Sequence, residues 1–144
     1  WWTKNVSDPR SHVTLRHLLS FTSGFGFGQP GNETEHSAAC MGWHFNITFE
    51  ACARVIYETT EVWGWPGTVY SYNSNHLKLA GVMAMHASGL GIQELITKYL
   101  NKGLHMPHTH CSIRSNLTGT GGDGLVPDPN PDLAVCLNTT GEDY

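Results

Sequence analysis

The feature that most constrains this chain is a turn that leads directly into a helix, within residues 65–81 (WPGTVYSYNSNHLKLAG). Pro66 and Gly67 form a dipeptide that is typical of a tight turn. Two tyrosines, Tyr70 and Tyr72, follow in a short polar run, and apolar residues at helical spacing begin soon after them. A loop rich in hydroxyl and amide groups, fixed in front of a helix, is well placed to present side chains to a ligand. We therefore expect a functional site in this loop.

Apolar residues at helical spacing predict four helices and a fifth, short one. Two of them start at good N-cap residues, Thr14 and Thr48, and glycine ends three of them. No alternation of apolar and polar residues predicts a strand, and residues 104–131 contain turn signals only. The predicted fold class is therefore mainly α, with long loops. The predicted helices are 15 to about 24, 49 to about 61, Asn75–Ser88, 92–103, and a last short helix that Asn130 caps and Pro131 begins.

Composition and charge exclude several classes of protein. The chain has 144 residues, of which 14% are charged and 10% are aromatic, and this is the composition of a globular domain with a core. Its net charge is −4 and its eight basic residues are scattered, so we expect no nucleic-acid-binding surface. No apolar run approaches the roughly 20 residues that cross a bilayer, and we expect no membrane segment in this piece.

Five N-x-[ST] sequons, none of them blocked by proline, indicate a glycoprotein of the eukaryotic secretory pathway. One or two sequons would carry little weight, whereas five in a short chain favour glycosylation. The four cysteines are an even number, which suits an oxidising compartment. We therefore expect a secreted or extracellular protein with N-linked glycans. The candidate acceptors are Asn5, Asn32, Asn46, Asn116 and Asn138.

Two segments resemble motifs of one known superfamily. Residues 13–24 (VTLRHLLSFTSG) resemble the motif ITLRHLLSHTSGL, and residues 66–74 fit the pattern P-G-x-x-[FY]-x-Y-x-[NS]. Both motifs are typical of the serine β-lactamase-like and penicillin-binding-protein superfamily, in its class C β-lactamase and D,D-carboxypeptidase branch. The resemblance implies that the chain forms the helical lobe of the β-lactamase/transpeptidase-like fold, with several helices and long disulfide-tied loops.

Two further segments resemble the same superfamily in the expected order. Residues 102–106 (KGLHM), followed by Thr109, resemble the motif PLGMxxT. Residues 122–126 (GDGLV), followed by Asp132 and Leu133, resemble the motif GGLxSTxxDL. The four matches span nearly the whole chain, so together they are more specific than any one of them.

The resemblance implies an acyl-serine mechanism and assigns roles to two residues. The second tyrosine of the family pattern lies in the active site, and ungapped alignment places it at Tyr72. It would act as a base or proton relay for a serine nucleophile, which is weak until a base takes its proton. Ser74 stands where most members have asparagine, and it would hydrogen-bond the substrate or the catalytic lysine. No cofactor is expected.

The family's nucleophile motif S-x-x-K and its third motif, K-T-G or H-x-G, are absent from this sequence. Ser74 has Lys78 at a spacing of four, not three. We therefore expect residues 1–144 to be a single helical segment, truncated at both ends and inactive alone, whose partner is the missing remainder of its own fold. Two functions stay open at this point: part of a secreted serine hydrolase acting on an amide, peptide or ester, or a catalytically inactive domain used for binding or assembly.

The four cysteines allow three pairings, and free buried thiols are the alternative. We favour Cys40 with Cys52, which closes the loop before a helix. We also favour Cys111 with Cys136, which ties the turn resembling PLGM to the last predicted helix.

A histidine-rich run is the only candidate for a metal site. His105, His108, His110 and Cys111 could in principle ligate zinc, but their spacing is irregular and there is no second cysteine-rich half. We therefore expect no metal. The glycine-rich residues 119–124 lack the phosphate-binding pattern G-x-x-x-x-G-K-[ST], so we expect no phosphate site there either.

Overall fold

The computed structural model describes residues 1–26, 40, 47–111, 113–115, 125–127, 130–134 and 136–143. Helices form most of the regular structure, as predicted, and a short 3-10 helix (Pro9–His12) precedes them. The last α-helix continues into a π-helical segment, Thr97–Lys102. The elements are α1 (Leu15–Leu19), α2 (Phe49–Thr59), α3 (Asn75–Ser88), α4 (Ile92–Ile96), β1 (His110–Cys111), β2 (Ile113–Ser115), β3 (Leu125–Pro127) and β4 (Leu137–Asn138).

Helix α1 begins where the sequence predicts but ends early. Thr14 caps it, because Thr14 Oγ1 accepts a hydrogen bond from the His17 backbone N–H at 3.4 Å, and the Thr14 N–H donates to His17 Nδ1 at 3.2 Å. The helix ends at Leu19 because Phe21 adopts a left-handed backbone conformation with a φ of 56°. A right-handed helix cannot continue through such a residue. The prediction that the helix extends to about Gly24 was therefore wrong.

Helices α2 and α3 pack against each other and form the centre of the core. Thr48 caps α2 as predicted, with Thr48 Oγ1 accepting from the Ala51 N–H at 3.2 Å. The two helices approach closely at Gly81, where an added Cβ would lie 2.6 Å from Phe49 Cζ and 2.8 Å from Leu133 Cδ1. The close approach that the small residues of α3 predicted is therefore confirmed. Buried residues of the pair include Phe49, Cys52, Ala53 and Ile56 from α2 and Leu79, Ala80 and Val82 from α3.

Glycine ends two helical segments as the sequence predicts. Gly89 caps α3 in the left-handed conformation, with a φ of 69°, and its N–H donates to the Met85 carbonyl oxygen at 2.8 Å. Gly103 follows the π-helical segment. Residues 92–102 carry the cleanest amphipathic pattern of the sequence, yet none of these residues is fully buried.

The described helices include none that is long and apolar enough to cross a membrane alone. Helix α3 and the helix over residues 92–102 meet the length and composition criteria only as a pair, and a bend of 79° separates them.

Among the described residues, the C-terminal third contains four short strands, and β1, β2 and β3 lie where the sequence predicted turns only. Strand β1 pairs antiparallel with β4, with His110 opposite Asn138, and β2 pairs antiparallel with β3. Residues 133–134 form a turn, and Leu137–Asn138 is a strand, so the helix predicted to begin at Pro131 is not found among the described residues. Strands this short carry too few residues for an alternating pattern, and their pairing depends on partners distant in sequence.

Both favoured disulfides are present. Cys40 pairs with Cys52, with a Cα–Cα distance of 5.6 Å, and the bond joins residue 40 to helix α2. Cys111 pairs with Cys136, with a Cα–Cα distance of 4.7 Å, at the start of the β1–β4 pair. Each bond therefore fixes a loop to an element of regular structure.

Candidate active site

Residues 21–26, which follow α1, hold the loop that carries Tyr70 and Tyr72. Four backbone hydrogen bonds join the segment to residues 61–71. The first is made by Glu61, before the loop, and the last by Ser71, the residue before Tyr72. The loop therefore has a fixed backbone on both sides of its Pro-Gly turn. The pairs, with the N–H donor first, are Gly26 with Glu61 (3.1 Å), Trp63 with Gly24 (2.9 Å), Gly67 with Thr22 (2.7 Å) and Ser71 with Phe21 (2.9 Å).

Gly24 is required at the centre of this pairing. Its φ is 90°, a conformation that side chains disfavour, and an added Cβ would overlap the Gly64 carbonyl oxygen. The Ser23–Gly24 step of the motif in residues 13–24 therefore lets two backbone segments approach closely, and it also ends a turn.

Side chains of the loop alternate between the interior and the surface. Ser71 and Asn73 are buried, whereas Tyr72 is 59% exposed. Asn73 Nδ2 donates to the Phe25 carbonyl oxygen at 3.2 Å and to Ser71 Oγ at 3.0 Å. Within the described part of the chain, the hydroxyls of Tyr72 and Ser74 make no hydrogen bond. The two inward side chains therefore fix the loop, and the two predicted catalytic hydroxyls are left available.

Phe21 packs against this site, and the sequence analysis did not single it out. The centroid of its ring lies 4.9 Å from that of Tyr72, 5.4 Å from that of His76 and 6.3 Å from that of Tyr70. The available signal was its departure from the family motif, which has histidine at this position of LLSHTSG.

His76, in the first turn of α3, is fully buried and neutral. Its Nδ1 lies 3.0 Å from Asn73 Oδ1 and 3.3 Å from the Asn73 carbonyl oxygen. Both atoms are acceptors, since Asn73 Oδ1 also accepts from the Asn75 N–H at 3.2 Å, so Nδ1 carries the proton. Burial lowers the pKa of His76 to about 4. His76 is therefore a donor that orients Asn73, and it is not charged at neutral pH.

Lys78 does not serve Ser74 as a catalytic base, because its ammonium group is bound elsewhere. The side chain is fully buried, and Nζ donates to Asn130 Oδ1 at 2.7 Å and to the Pro131 carbonyl oxygen at 2.6 Å. Nζ also lies 4.0 Å from the centroid of the Phe49 ring. Asn130 Nδ2 donates in turn to the Cys40 carbonyl oxygen at 2.8 Å. Lys78 thus joins α3 to two distant loops.

The remaining predicted sites are distributed as follows. Asn5 and Asn138 are exposed. The other three candidate glycosylation sites lie outside the described residues, as do residues 122–124 of the motif resembling GGL. The described residues contain no group of three or more His, Cys, Asp or Glu side chains that could hold a metal ion, and Cys111 is in a disulfide.

A family model for beta-lactamases matches residues 1–137. The chain belongs to the beta-lactamase family. A search of the curated protein sequences gave no match.

Solved structures similar to this beta-lactamase-family chain are longer proteins. One is a protein of Bacteroides dorei DSM 17855 whose proposed activity is that of a beta-lactamase: the TM-score is 0.59, with 25% identity over 96% of this chain and 36% of that chain. EstCE1, a hydrolase with promiscuous acyltransferase activity, gives a TM-score of 0.61, with 15% identity over 91% of this chain and 43% of its own. The D-amino acid amidase of Ochrobactrum anthropi SV3, complexed with L-phenylalanine, gives 0.52, with 19% identity over 71% and 26%.

These comparisons confirm the family and the fold class. The described helices are the helical lobe of the beta-lactamase fold, and this beta-lactamase-family chain spans only 36% of the length of the Bacteroides dorei protein. The two matches below 25% identity support the fold alone.

Proposed function

We propose that this chain is the helical lobe of a serine hydrolase that acts through an acyl-serine intermediate. The observation that carries the proposal is the exposure of the Tyr72 side chain on a loop whose backbone is fixed. Its ring is 59% exposed, while its neighbours Ser71 and Asn73 are buried and hydrogen-bonded to each other. A fixed backbone beneath an available phenol is the arrangement that a positioned proton-transfer group requires.

In the proposed mechanism, Tyr72 takes the proton of a serine hydroxyl as that oxygen attacks a carbonyl carbon, and returns it to the leaving group. A phenol has a pKa near 10 in water, so this role requires a neighbouring positive charge to stabilise the phenolate. Lys78 cannot supply it, because its ammonium group is bound to Asn130 and Pro131. The lysine of an S-x-x-K motif, contributed by the rest of the fold, would do so.

Ser74 would contact the substrate or that lysine. It lies two residues after Tyr72, at the N-cap of α3, and its side chain makes no capping hydrogen bond. A hydroxyl that can both donate and accept can serve either partner.

The names of two similar proteins support a proposal for the substrate class. One is an amidase and another is a hydrolase with acyltransferase activity. We propose an amide, peptide or ester substrate, whose acyl group is transferred first to serine and then to water.

The rest of the fold would cover apolar residues that are exposed on α1 and on the Tyr72 loop. Leu15 and Leu19 lie four residues apart on α1 and are 48% and 57% exposed, whereas Leu18 is fully buried. Tyr70 is 64% exposed. The exposure of these apolar side chains favours a flanking segment or a second chain as the partner of this surface.

We also propose that the protein is secreted and carries N-linked glycans. Two disulfides and the exposure of Asn5 and Asn138 support this proposal. Expression in a secretory host, followed by removal of N-glycans, should lower the apparent mass. Replacing each of the two asparagines by glutamine should remove one glycan each, and an unchanged mass in both variants would contradict these two sites.

A second candidate function is a catalytically inactive domain used for binding or assembly. The observation that favours it is Ser74, which stands where most of the family pattern has asparagine. The five sequons also suit a binding glycoprotein.

One experiment separates the two functions. The full-length protein is treated with a fluorescent acylating probe, and the rate of serine labelling is measured for the wild type, Tyr72→Phe and Tyr70→Phe. We expect labelling of the wild type and a loss of about 10²- to 10⁴-fold in Tyr72→Phe. Tyr70 is equally exposed on the same loop, so Tyr70→Phe is the matched control and should label normally. A wild type that does not label would favour the inactive domain.

A further inference from the structure

Phe21 has an unusual backbone conformation for a large aromatic residue. Its φ of 56° lies in the left-handed region, and the only other described non-glycine residue with a positive φ is His105. Residues held in this region are destabilised locally and persist only where the surrounding structure requires them. Such outliers are often found at functional sites, so the contacts that hold Phe21 are informative.

The backbone contacts of Phe21 lead directly to the Tyr72 loop. The Phe21 N–H donates to the Leu18 carbonyl oxygen at 3.1 Å, which closes the end of α1. The Phe21 carbonyl oxygen accepts from the Ser71 N–H at 2.9 Å. Because the left-handed conformation turns the chain out of the helix, it brings this carbonyl to the residue immediately before Tyr72.

The side chain of Phe21 contacts the same loop independently. Its ring is half-buried, and its centroid lies 4.9 Å from that of the tilted Tyr72 ring and 5.4 Å from that of the edge-on His76 ring. His76 is held by its hydrogen bond to Asn73, so one of the two rings that contact Phe21 is anchored to the loop. Tyr72 therefore has a rigid hydrocarbon surface against one side of its ring, although its hydroxyl makes no hydrogen bond in the described chain.

We propose that Phe21 is a positioning residue for Tyr72. Its carbonyl fixes the backbone before Tyr72, and its ring limits the rotamers that the Tyr72 side chain can adopt. The kinetic part of this proposal rests on the function proposed above, because it assumes that Tyr72 transfers a proton. A phenyl ring has no polar atom, so Phe21 acts through contact alone and takes no part in proton transfer.

Three variants of the full-length protein test the proposal. Phe21→Leu removes the ring but keeps an unbranched Cβ, so it should tolerate the left-handed backbone as well as phenylalanine does. Phe21→Tyr keeps the ring and is the conservative rescue. His105→Leu is the matched control, since it makes an equivalent change at the other positive-φ residue.

Two readouts distinguish failure of this proposal from failure of the proposed function. The first is the ¹⁹F resonance of 3-fluorotyrosine placed at position 72. We expect Phe21→Leu to move it towards its value in urea-denatured protein, and Phe21→Tyr and His105→Leu to leave it in place. The second is the rate of serine acylation, which we expect to fall about 10- to 100-fold in Phe21→Leu alone, because small misplacements of a catalytic group have effects of this size.

An unchanged ¹⁹F resonance in Phe21→Leu would overturn the positioning role, whatever the rates are. A shifted resonance with an unchanged acylation rate would overturn it as well, because the position of Tyr72 would then have no kinetic consequence. If the wild type is not acylated, the proposed function fails, and the ¹⁹F resonance alone decides whether Phe21 positions Tyr72.

Discussion

Helices α3 and α4 are neighbours in the chain, but the strength of the amphipathic pattern does not predict which of them is more deeply buried. Helix α3 has a weak amphipathic pattern, yet seven of its first eight residues are buried, including His76 and Lys78. Helix α4 and its π-helical extension have the clearer pattern, yet none of their residues is fully buried. An amphipathic pattern indicates which face of a helix packs against the core. The depth of burial depends on how many other elements of the fold surround the helix.

The leucines of the two helices give the largest expected contrast. Leu79 is fully buried in α3, and Leu79→Ala should lower the free energy of unfolding by about 3 kcal/mol, because it leaves a cavity in the core. Leu95 of α4 is only partly buried, and Leu95→Ala should cost about 1 kcal/mol. Urea denaturation measures both values. Equal losses would mean that α4 is buried as deeply as α3.

The lysines sharpen the contrast for charged groups. Lys78→Met leaves Asn130 Oδ1 and the Pro131 carbonyl oxygen without their donor, and should lower the free energy of unfolding by about 2–3 kcal/mol. Lys102 is exposed on the π-helical segment, and Lys102→Met should change the free energy of unfolding by less than about 0.5 kcal/mol. Thermal unfolding of the two variants provides the comparison, and a neutral effect of Lys78→Met would mean that these hydrogen bonds do not stabilise the fold.

His76 makes the stability of the α3 region depend on pH. Burial lowers its pKa from 6.5 to about 4, so between these values the unfolded chain binds a proton that the folded chain does not. The contribution of neutral His76 is complete above pH 6.5 and is lost as the pH falls towards 4, by up to about 3 kcal/mol, or less where the fold relaxes around the charge.

The pH effect is measured as the free energy of unfolding between pH 7 and pH 4. The slope should be reduced in His76→Leu, which has no titrating ring. His105 is exposed and makes no ion pair within the described part of the chain, so His105→Gln is the control and should keep the slope. An unchanged slope in His76→Leu would assign the acid sensitivity to other groups.

Gly81 tests the packing between α2 and α3 and has the smallest expected effect. Gly81→Ala gains helix propensity but places a methyl group against Phe49 and Leu133, so it should lower the free energy of unfolding by about 1–2 kcal/mol. Ala84 lies on the same helix and is exposed, so Ala84→Gly should cost about 1 kcal/mol by propensity alone. A stabilising Gly81→Ala would mean that the two helices can separate slightly without loss.

Much of the regular structure was predictable because its signals are local. The Thr48 cap, the end of α3 at Gly89 and the buried face of α2 follow from residues within one or two helical turns. The loop that carries the candidate site was predictable for a similar reason, since the Pro66–Gly67 turn and the start of α3 bracket it. The roles of Tyr72 and Ser74 came from family resemblance and stay predictions.

The end of α1 and the C-terminal strands were not predictable from local signals. Nothing in the residues around Phe21 favours a left-handed backbone, and a propensity rule would continue the helix. In this conformation the Phe21 carbonyl oxygen accepts a hydrogen bond from the N–H of Ser71, which lies far along the chain. In the same way, two- and three-residue strands such as β1 and β4 exist through their pairing and not through their own sequence.

The sequence by itself determined the family, the mainly helical class, most of the helix boundaries and the loop that displays Tyr72. The favoured cysteine pairs, and the sequons that predict secretion, could also be listed from it. Only the tertiary structure decided which polar residues are buried: Lys78 meets Asn130 across 52 positions, and Asn73 meets Phe25 across 48. The physical reason is that helix caps and turns are satisfied by neighbours in the chain, whereas a buried ammonium group or amide is stable only where distant segments supply its hydrogen bonds.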